Sequence, residues 1–315
     1  MFKKVDFLTF NNTGLNNLSL SLTFVEITAK LINCKAVFFL YFLDDKPVLK
    51  LSSFERDGKL ILPNIYPFYS GFWLDNSLSY LKQNEVLDNT LLELKKTYKS
   101  IKLMLPVEVK DIRCFIWNDF DVTVRYTYLK KLDALKFKKD MVRNHKIALD
   151  RLNFTLKEMH GFDLYWDFHK CLLSDIGFSI KIIGNLRSWI IELMEKRIIK
   201  FFCVFDEGDN YMGSTFLVLD QFKKTGNSLL EHTVDNNLKS KSNAFLKISM
   251  HYWLKENKYE YFDYLGANTR KVAENKVRSE PELQNYYIVD YKYNQFTIIR
   301  NRLHKIKRFI RNYFK

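Results

Sequence analysis

"YEYFDYLGANTRKVAENKVRSE", residues 259–280, decides how the chain is read. Its front is aromatic and suits a strand. Asp263, Gly266 and Ala267 suit a turn, and a basic, helix-capable run follows. The stretch is either a loop-and-helix ligand site or one more strand-to-helix turn in a core. "IKLMLPVEVKDIRCFIW", residues 101–117, has the same order of strand, turn and short helix. The echo favours a repeated structural unit, with Gly266 serving geometry more than chemistry.

Working outward through the second half, "LNFTLKEM" (152–159) alternates apolar and polar residues, as a strand does. "FDLYWDFHKCLLSDIG" (162–177) has helical spacing, with Gly177 as its stop. "SWIIELMEKRI" (188–198) is a second helix, capped by Asn185 or Ser188. "KFFCVFDEGDNYMGSTFLVLDQ" (200–221) is a hairpin turning at residues 207–210, and "NSLLEHTVDNN" (227–237) is a third strand. A long helix begins near Ser240 or Ser242, and the strand at 259–266, a short helix at 269–277 and a last strand at 283–291 follow. Three meandering strands followed by strand–helix alternation predict an α/β (α+β) fold, a mixed sheet with helices packed on it.

The first half ends in the same way. "AVFFLYFLDDKPVLKLSSFERDGKLILP" (36–63) supplies strands around a turn at Asp44-Asp45-Lys46-Pro47. Residues 75–100 form a long helix capped by Asp75 or Asn76, with Leu78, Leu81, Leu87, Leu91, Leu94 and Tyr98 along one stripe. A strand (101–106), a short helix (109–117) and a strand (120–129) close this half. Residues 130–151 carry eight Lys or Arg against three Asp and join the halves as a basic helix. The expected units are 1–133 and 134–295, followed by a basic amphipathic helix at 296–315.

Composition narrows the partners. Among 315 residues, 50 Lys and Arg against 36 Asp and Glu give a net charge of +14, which favours anionic partners or simply reflects a Lys-rich proteome. Hydrophobic residues at 47% allow a sizeable core and exclude wholesale disorder. Cys34, Cys114, Cys171 and Cys203 are far apart and read as buried free thiols in a reducing cytosol. The six histidines are scattered, with no spacing for a metal site, so no metal is expected. The first residues lack the apolar centre of a signal peptide, and "AVFFLYFL" is too short to span a bilayer. A cytoplasmic protein is expected.

Four stretches carry a resemblance: "IYPFYSGFW" (65–73), "LPVEVKDIRCFIWNDFDVTVRYTYLKKL" (105–132), "KKDMVRNHKIALDRLNFTL" (138–156) and "YFDYLGANTRKVAENKVRSEPELQNYYIV" (261–289). Together they resemble the FemAB-like clan of the Gcn5-related N-acetyltransferase (GNAT) fold. In that clan, Fem-type aminoacyl and peptidyl transferases double the unit. The resemblance implies two tandem GNAT-like units, each a mixed sheet with helices on both faces. It also implies acyl transfer to an amine or hydroxyl, with an amino sugar or cell-envelope peptide as acceptor. Acyl-coenzyme A (acetyl-coenzyme A) or aminoacyl-tRNA would be the donor. The usual phosphate loop, Arg/Gln-x-x-Gly-x-Gly/Ala, is absent before the second long helix, which weighs against simple acetyl-coenzyme A use. Fem-type proteins also lack a standard form of it.

The candidate site residues follow. In "EHTVDNNLKSKSNAFL" (231–246) a strand gives way to a helix, whose first N–H groups and dipole attract phosphate. Asn236, Asn237, Lys239, Ser240, Lys241, Ser242 and Asn243 are the cofactor-binding candidates; an ordinary capped helix start is the other reading. His232 is the base candidate beside Glu231; alternation puts one on the cleft face and one on the back, and a plain polar neighbour is the other reading. Tyr69, Trp117, Arg125 and Tyr126 are acceptor-side candidates, with a core role for Trp117 and Tyr126 as the alternative. Asp263 and Gly266 complete the set, Asp263 being either a substrate contact or a carboxylate bonded to backbone at a sheet end.

"NRLHKIKRFIRNYFK" (301–315) reads as a basic amphipathic helix that packs back on the first unit or lies on an anionic membrane face. The partners expected are a small-molecule or nucleotide-linked acceptor, tRNA as a donor carrier, and peripheral membrane contact through this helix. The rival class is a non-catalytic GNAT-fold protein that binds anionic lipid or nucleic acid through its basic surface.

Overall fold

The computed structural model describes residues 1–14, 17–63 and 68–293. The expected C-terminal helix and the front of "IYPFYSGFW" (65–67) lie outside the described residues. In chain order the first half contains β1 (Phe2–Val5), α1 (Phe7–Asn11), α2 (Leu22–Leu31), β2 (Lys35–Leu43), β3 (Lys46–Arg56), β4 (Lys59–Ile61) and β5 (Gly71–Leu74). It continues with α3 (Tyr80–Thr97), β6 (Ser100–Leu105), α4 (Arg113–Trp117) and β7 (Asp121–Lys131). After α5 (Lys139–Asp150), the second half contains β8 (Thr155–Met159), α6 (Asp163–Asp175), α7 (Ile180–Glu195), β9 (Ile199–Phe205), β10 (Tyr211–Asp220) and β11 (Thr225–Thr233). It ends with α8 (Lys239–Glu256), β12 (Tyr261–Asp263), α9 (Arg270–Lys276) and β13 (Glu282–Lys292).

Among the described residues the strands form one continuous mixed sheet, in the order β1-β2-β3-β4-β6-β13-β7-β12-β11-β10-β9-β8, with β5 also on β3. The halves exchange their last strands. β13 lies between β6 and β7 of the first half, while β7 pairs with β12 of the second. The sheet therefore runs unbroken past residue 133, where the sequence suggests a boundary.

Both faces are covered. Val37, Phe39 and Tyr41 of β2 face α3 and α4, while Phe38 and Leu40 face α1 and α2. In β9, Phe201, Cys203 and Phe205 face α6 and α7, while Phe202 and Val204 face α8. A strand buried on both faces reads as a continuous apolar run, which explains "AVFFLYFL" and "KFFCVF". We call the α6/α7 side the front face and the α5/α8 side the back face.

Several sequence readings are corrected. α3 starts at residue 80, where Ser79 accepts the Lys82 N–H, not at Asp75 or Asn76. Leu81 points to solvent at 79% exposure, while Leu87, Leu91, Leu94 and Tyr98 are buried as expected. α7 starts eight residues before Ser188 and is capped by Ser179. Cys171 is exposed and Cys34 half-buried; only Cys114 and Cys203 are buried thiols. The elements at the N-terminal end and β5 have no counterpart in the sequence reading. α2 packs on α7, where the Trp189 indole N–H donates to the Thr28 hydroxyl at 2.9 Å, and this contact ties the halves together on the front face. No helix of the described residues is long and apolar enough to cross a membrane.

Candidate functional site: a parting in the sheet

β11 and β12 are parallel neighbours for only three residue pairs, the last being Asn227 with Asp263. β12 then ends and turns through Leu265 and Gly266, both at positive φ, while β11 runs on to Thr233. Gly266 at φ +100° is in a conformation that a side chain would strain, so its requirement is geometric. β11 also carries a register shift against β10, between the Phe216–Leu230 and Leu217–Ser228 pairs, which leaves Leu229 as an extra residue. A bulge of this kind leaves backbone groups outside the ladder and re-aims the side chains around it. The sheet thus opens at the carboxyl ends of two parallel strands, where ligands bind in open α/β sheets.

Glu231 and His232 lie on opposite faces of the free part of β11, as alternation requires. On the back face, the Glu231 carboxylate is 3.3 Å from the Lys247 ammonium of α8, and the Asn243 side-chain amide donates to it at 3.4 Å. Lys247 is only 4% exposed at its side chain and donates to Asn275 of α9 at 3.1 Å. Lys276 donates to the carbonyls of Tyr264 (2.5 Å) and Gly266 (2.6 Å), pinning the turn that ends β12. Burial pushes its pKa down to about 8, against the pull of Glu231.

On the front face, Asp263 is buried at the crotch of the parting. It accepts from the Thr127 hydroxyl (2.6 Å), the Leu265 N–H (2.8 Å) and the Tyr69 hydroxyl (3.0 Å). Burial raises the Asp263 pKa from the usual carboxylate range, and these donors oppose the rise. Burial and the adjacent carboxylate both raise the Tyr69 pKa. Beside them is a cavity of about 400 Å³ between the halves. Its polar lining includes Asn17, Glu108, Lys110, Asp220, Lys223 and Asn227. Asp220 bridges the halves by accepting the Leu18 N–H at 2.9 Å.

The structure brings Tyr69, Asp263 and Gly266 together. Arg125 lies close by, directly opposite Tyr286 in the sheet, and the Tyr286 ring packs edge-on to Tyr69 at 5.4 Å. Tyr126 accepts the Ala267 N–H on its carbonyl, but its ring is exposed. Trp117 is 60% exposed beside Arg113 on α4, away from the cavity lining. The core alternative for these two aromatics is therefore corrected.

The start of α8 is mixed. Asn236, Asn237, Lys239 and Ser240 are exposed. Asn236 accepts the Leu238 N–H, Lys239 pairs with Asp235 at 2.8 Å, and the Lys241 ammonium donates to the Asn237 carbonyl at 3.3 Å. Ser242 is turned inward, donating to the Leu238 carbonyl beside Met212, so its hydroxyl does not face an incoming ligand. Among the described residues no group of His, Cys, Asp and Glu side chains is placed to hold a metal ion.

Sequence reasoning missed Lys247, Lys276 and the polar set around His232. The His232 Nδ1 is 3.0 Å from the Tyr211 hydroxyl, which is 2.7 Å from the Ser214 hydroxyl, itself 2.8 Å from the His169 Nε2. Phe168 of α6 stacks on both Tyr211 and His232. The spacing Tyr211, Ser214 and His232 across one hairpin carries no recognisable motif.

No protein-family model matches the chain, and no curated protein matches it in sequence. Solved structures do match in fold. FemX superposes with a TM-score of 0.69 at 13% identity, covering 94% of this chain and 98% of FemX. A tandem GNAT protein from the clavulanic acid biosynthesis pathway gives 0.53 at 8% identity, covering 93% and 98%. L-PGS from Bacillus licheniformis gives 0.52 at 11% identity, covering 93% and 94%. At these identities the likeness is one of fold, and the conclusion is drawn at that level: this chain has the FemAB-like fold of two tandem GNAT-like units.

Proposed function

We propose that the protein is an acyltransferase that moves an acetyl or aminoacyl group to an amine or hydroxyl acceptor, such as an amino sugar or an envelope peptide. The observation that carries this reading is the parting after the Asn227–Asp263 pair, which is polar on both faces. A donor enters from the α8 side, past the exposed Asn236, Asn237, Lys239 and Ser240. The +14 net charge suits an anionic carrier, either coenzyme A or tRNA. The acceptor occupies the cavity beside Tyr69 and Asp263, whose size is that of a small-molecule site.

The reaction needs little beyond positioning. The acceptor amine attacks the acyl carbonyl carbon, forming a C–N bond. The tetrahedral intermediate collapses by breaking the bond to the carrier's sulfur or oxygen. The proton lost by the amine goes to the departing group or to water.

Hydrogen exchange locates the donor. Coenzyme A, acetyl-coenzyme A and aminoacyl-tRNA are each added to the full chain and exchange is followed by mass spectrometry. Protection across residues 229–243 and 263–268 is expected with at least one of them. Binding that protects only other segments would contradict this placement.

A further inference from the structure

The polar chain from His232 to His169 has a direction that can be worked out by counting hydrogens. Three contacts link four groups, and two of those groups are hydroxyls with one hydrogen each. A third hydrogen must come from one of the two imidazoles, so only two arrangements satisfy every contact. In the first, the His169 Nε2–H donates to Ser214, Ser214 donates to Tyr211, and Tyr211 donates to the His232 Nδ1. In the second, every donor is reversed and the His232 Nδ1–H starts the chain.

The buried end chooses between them. His169 is fully buried and its Nδ1 has no partner among the described residues. In the first arrangement that atom is an unused lone pair. In the second it is an N–H donor with no acceptor, the rarer and less tolerated condition in protein interiors. His169 cannot escape by charging, because burial pushes its pKa down to about 3. The first arrangement is therefore the resting one.

We propose that His232 is held neutral with its proton on Nε2, and that it offers this N–H as a fixed hydrogen-bond donor. Tyr211, Ser214 and His169 are its positioning residues. The Nε2 atom has no protein partner among the described residues and is open to solvent. Phe168 stacks on the ring at 5.1 Å and fixes its plane, while Lys239 and Asp235 are the charged groups that bear on it, with opposite signs. Resting on the acyl-transfer reading, this N–H serves the oxygen of the reacting acyl group, where negative charge develops, in place of the base role expected from sequence.

The test uses the full chain labelled with ¹⁵N-histidine, read by long-range ¹H–¹⁵N spectra between pH 5.5 and 8 and assigned with His232→Gln. The expected result is a neutral Nε2–H tautomer for His232 at pH 7, with a hydrogen-bonded Nδ1, that becomes a tautomer mixture in Tyr211→Phe. A His232 with its proton on Nδ1, or charged at pH 7, overturns the proposal whether or not the protein transfers acyl groups. In acetyl-coenzyme A turnover, His232→Gln, which keeps a donor, retains most of the rate while His232→Ala loses about 10²-fold. Equal losses in both variants would restore the base role. No turnover in wild type with either acetyl-coenzyme A or aminoacyl-tRNA would count against the acyl-transfer reading alone, and the tautomer would still be decided by the spectrum.

Discussion

The Tyr69 hydroxyl donates to the Asp263 carboxylate at 3.0 Å, joining residues 194 apart in sequence at the point where β11 and β12 separate. The same carboxylate accepts from Thr127 of β7 and from the turn after β12. One side chain thus holds the cavity wall, the exchanged strand and the crotch of the parting. Asp263→Ala removes the acceptor that these donors share and is expected to cost about 1–3 kcal/mol in urea unfolding, with Tyr69→Phe costing about 1 kcal/mol.

Asp263 also sets a pH dependence. Burial raises its pKa, so the native state keeps this proton to higher pH than the unfolded chain. Stability contributed by this group falls as pH rises from about 4 through the raised native value, and is level above it. Asp263→Asn keeps an acceptor oxygen for Thr127 and Leu265 and is expected to remove that fall. Urea midpoints of both proteins across the acid range would show it; parallel curves would contradict it.

Lys276 works in the opposite sense at high pH. With its native pKa pushed down to about 8, the unfolded chain binds more protons between pH 8 and about 10. Stability from this group therefore rises across that window. Lys276→Met is expected to lose the rise. The comparison is the denaturation midpoint at pH 7.5 and at pH 10 for each protein.

The Glu231–Lys247 pair is held by buried structure on the back face. Lys247→Ala leaves the partly exposed Glu231 carboxylate with the Asn243 amide but without its ammonium partner and is expected to cost about 1.5–3 kcal/mol, while replacing both by apolar residues, Glu231→Leu with Lys247→Met, costs less. A double-mutant cycle read by chemical unfolding gives the coupling, and simple additivity of the two changes would refute it.

Gly71 at the start of β5 has no room for a side chain. A Cβ there would lie 2.0 Å from the Ser52 hydroxyl and 2.3 Å from the Ser19 carbonyl oxygen. Gly71→Ala is expected to cost about 1–3 kcal/mol and to loosen the adjoining cavity wall at Ser70. Thermal unfolding checks the first effect.

Much of the architecture was legible because it is local. The order from β8 to β13 follows from hydropathy period, turn residues and glycine stops, as at Gly177, which sits at φ +92°. The sequence pattern marks only the later turns of α7, because Gly184 interrupts its front turns and Ser179 caps it farther upstream. α2 follows an Asn- and Ser-rich stretch whose register only packing on α7 reveals. The exchange of β7 and β13 is a choice of distant partners that no single-strand pattern encodes. The site divides along the same line. Opposite faces for Glu231 and His232 follow from alternation, but Lys247, Lys276 and the Tyr211–Ser214–His169 set are brought in by tertiary structure. Trp117 and Tyr126 show the converse, aromatics whose type suggests a core while their positions are exposed.

The most direct measurement is acceptor-dependent transfer by the purified protein. Acetyl-coenzyme A or aminoacyl-tRNA is supplied with amino sugars, nucleotide sugars and short peptides, and the acylated product is identified by mass spectrometry. The account predicts an acylated product that requires an acceptor, and at least a tenfold fall in its rate for a folded Asp263→Asn or Glu231→Gln protein. Folded wild-type protein that yields no acylated product with either donor and binds neither of them would contradict it.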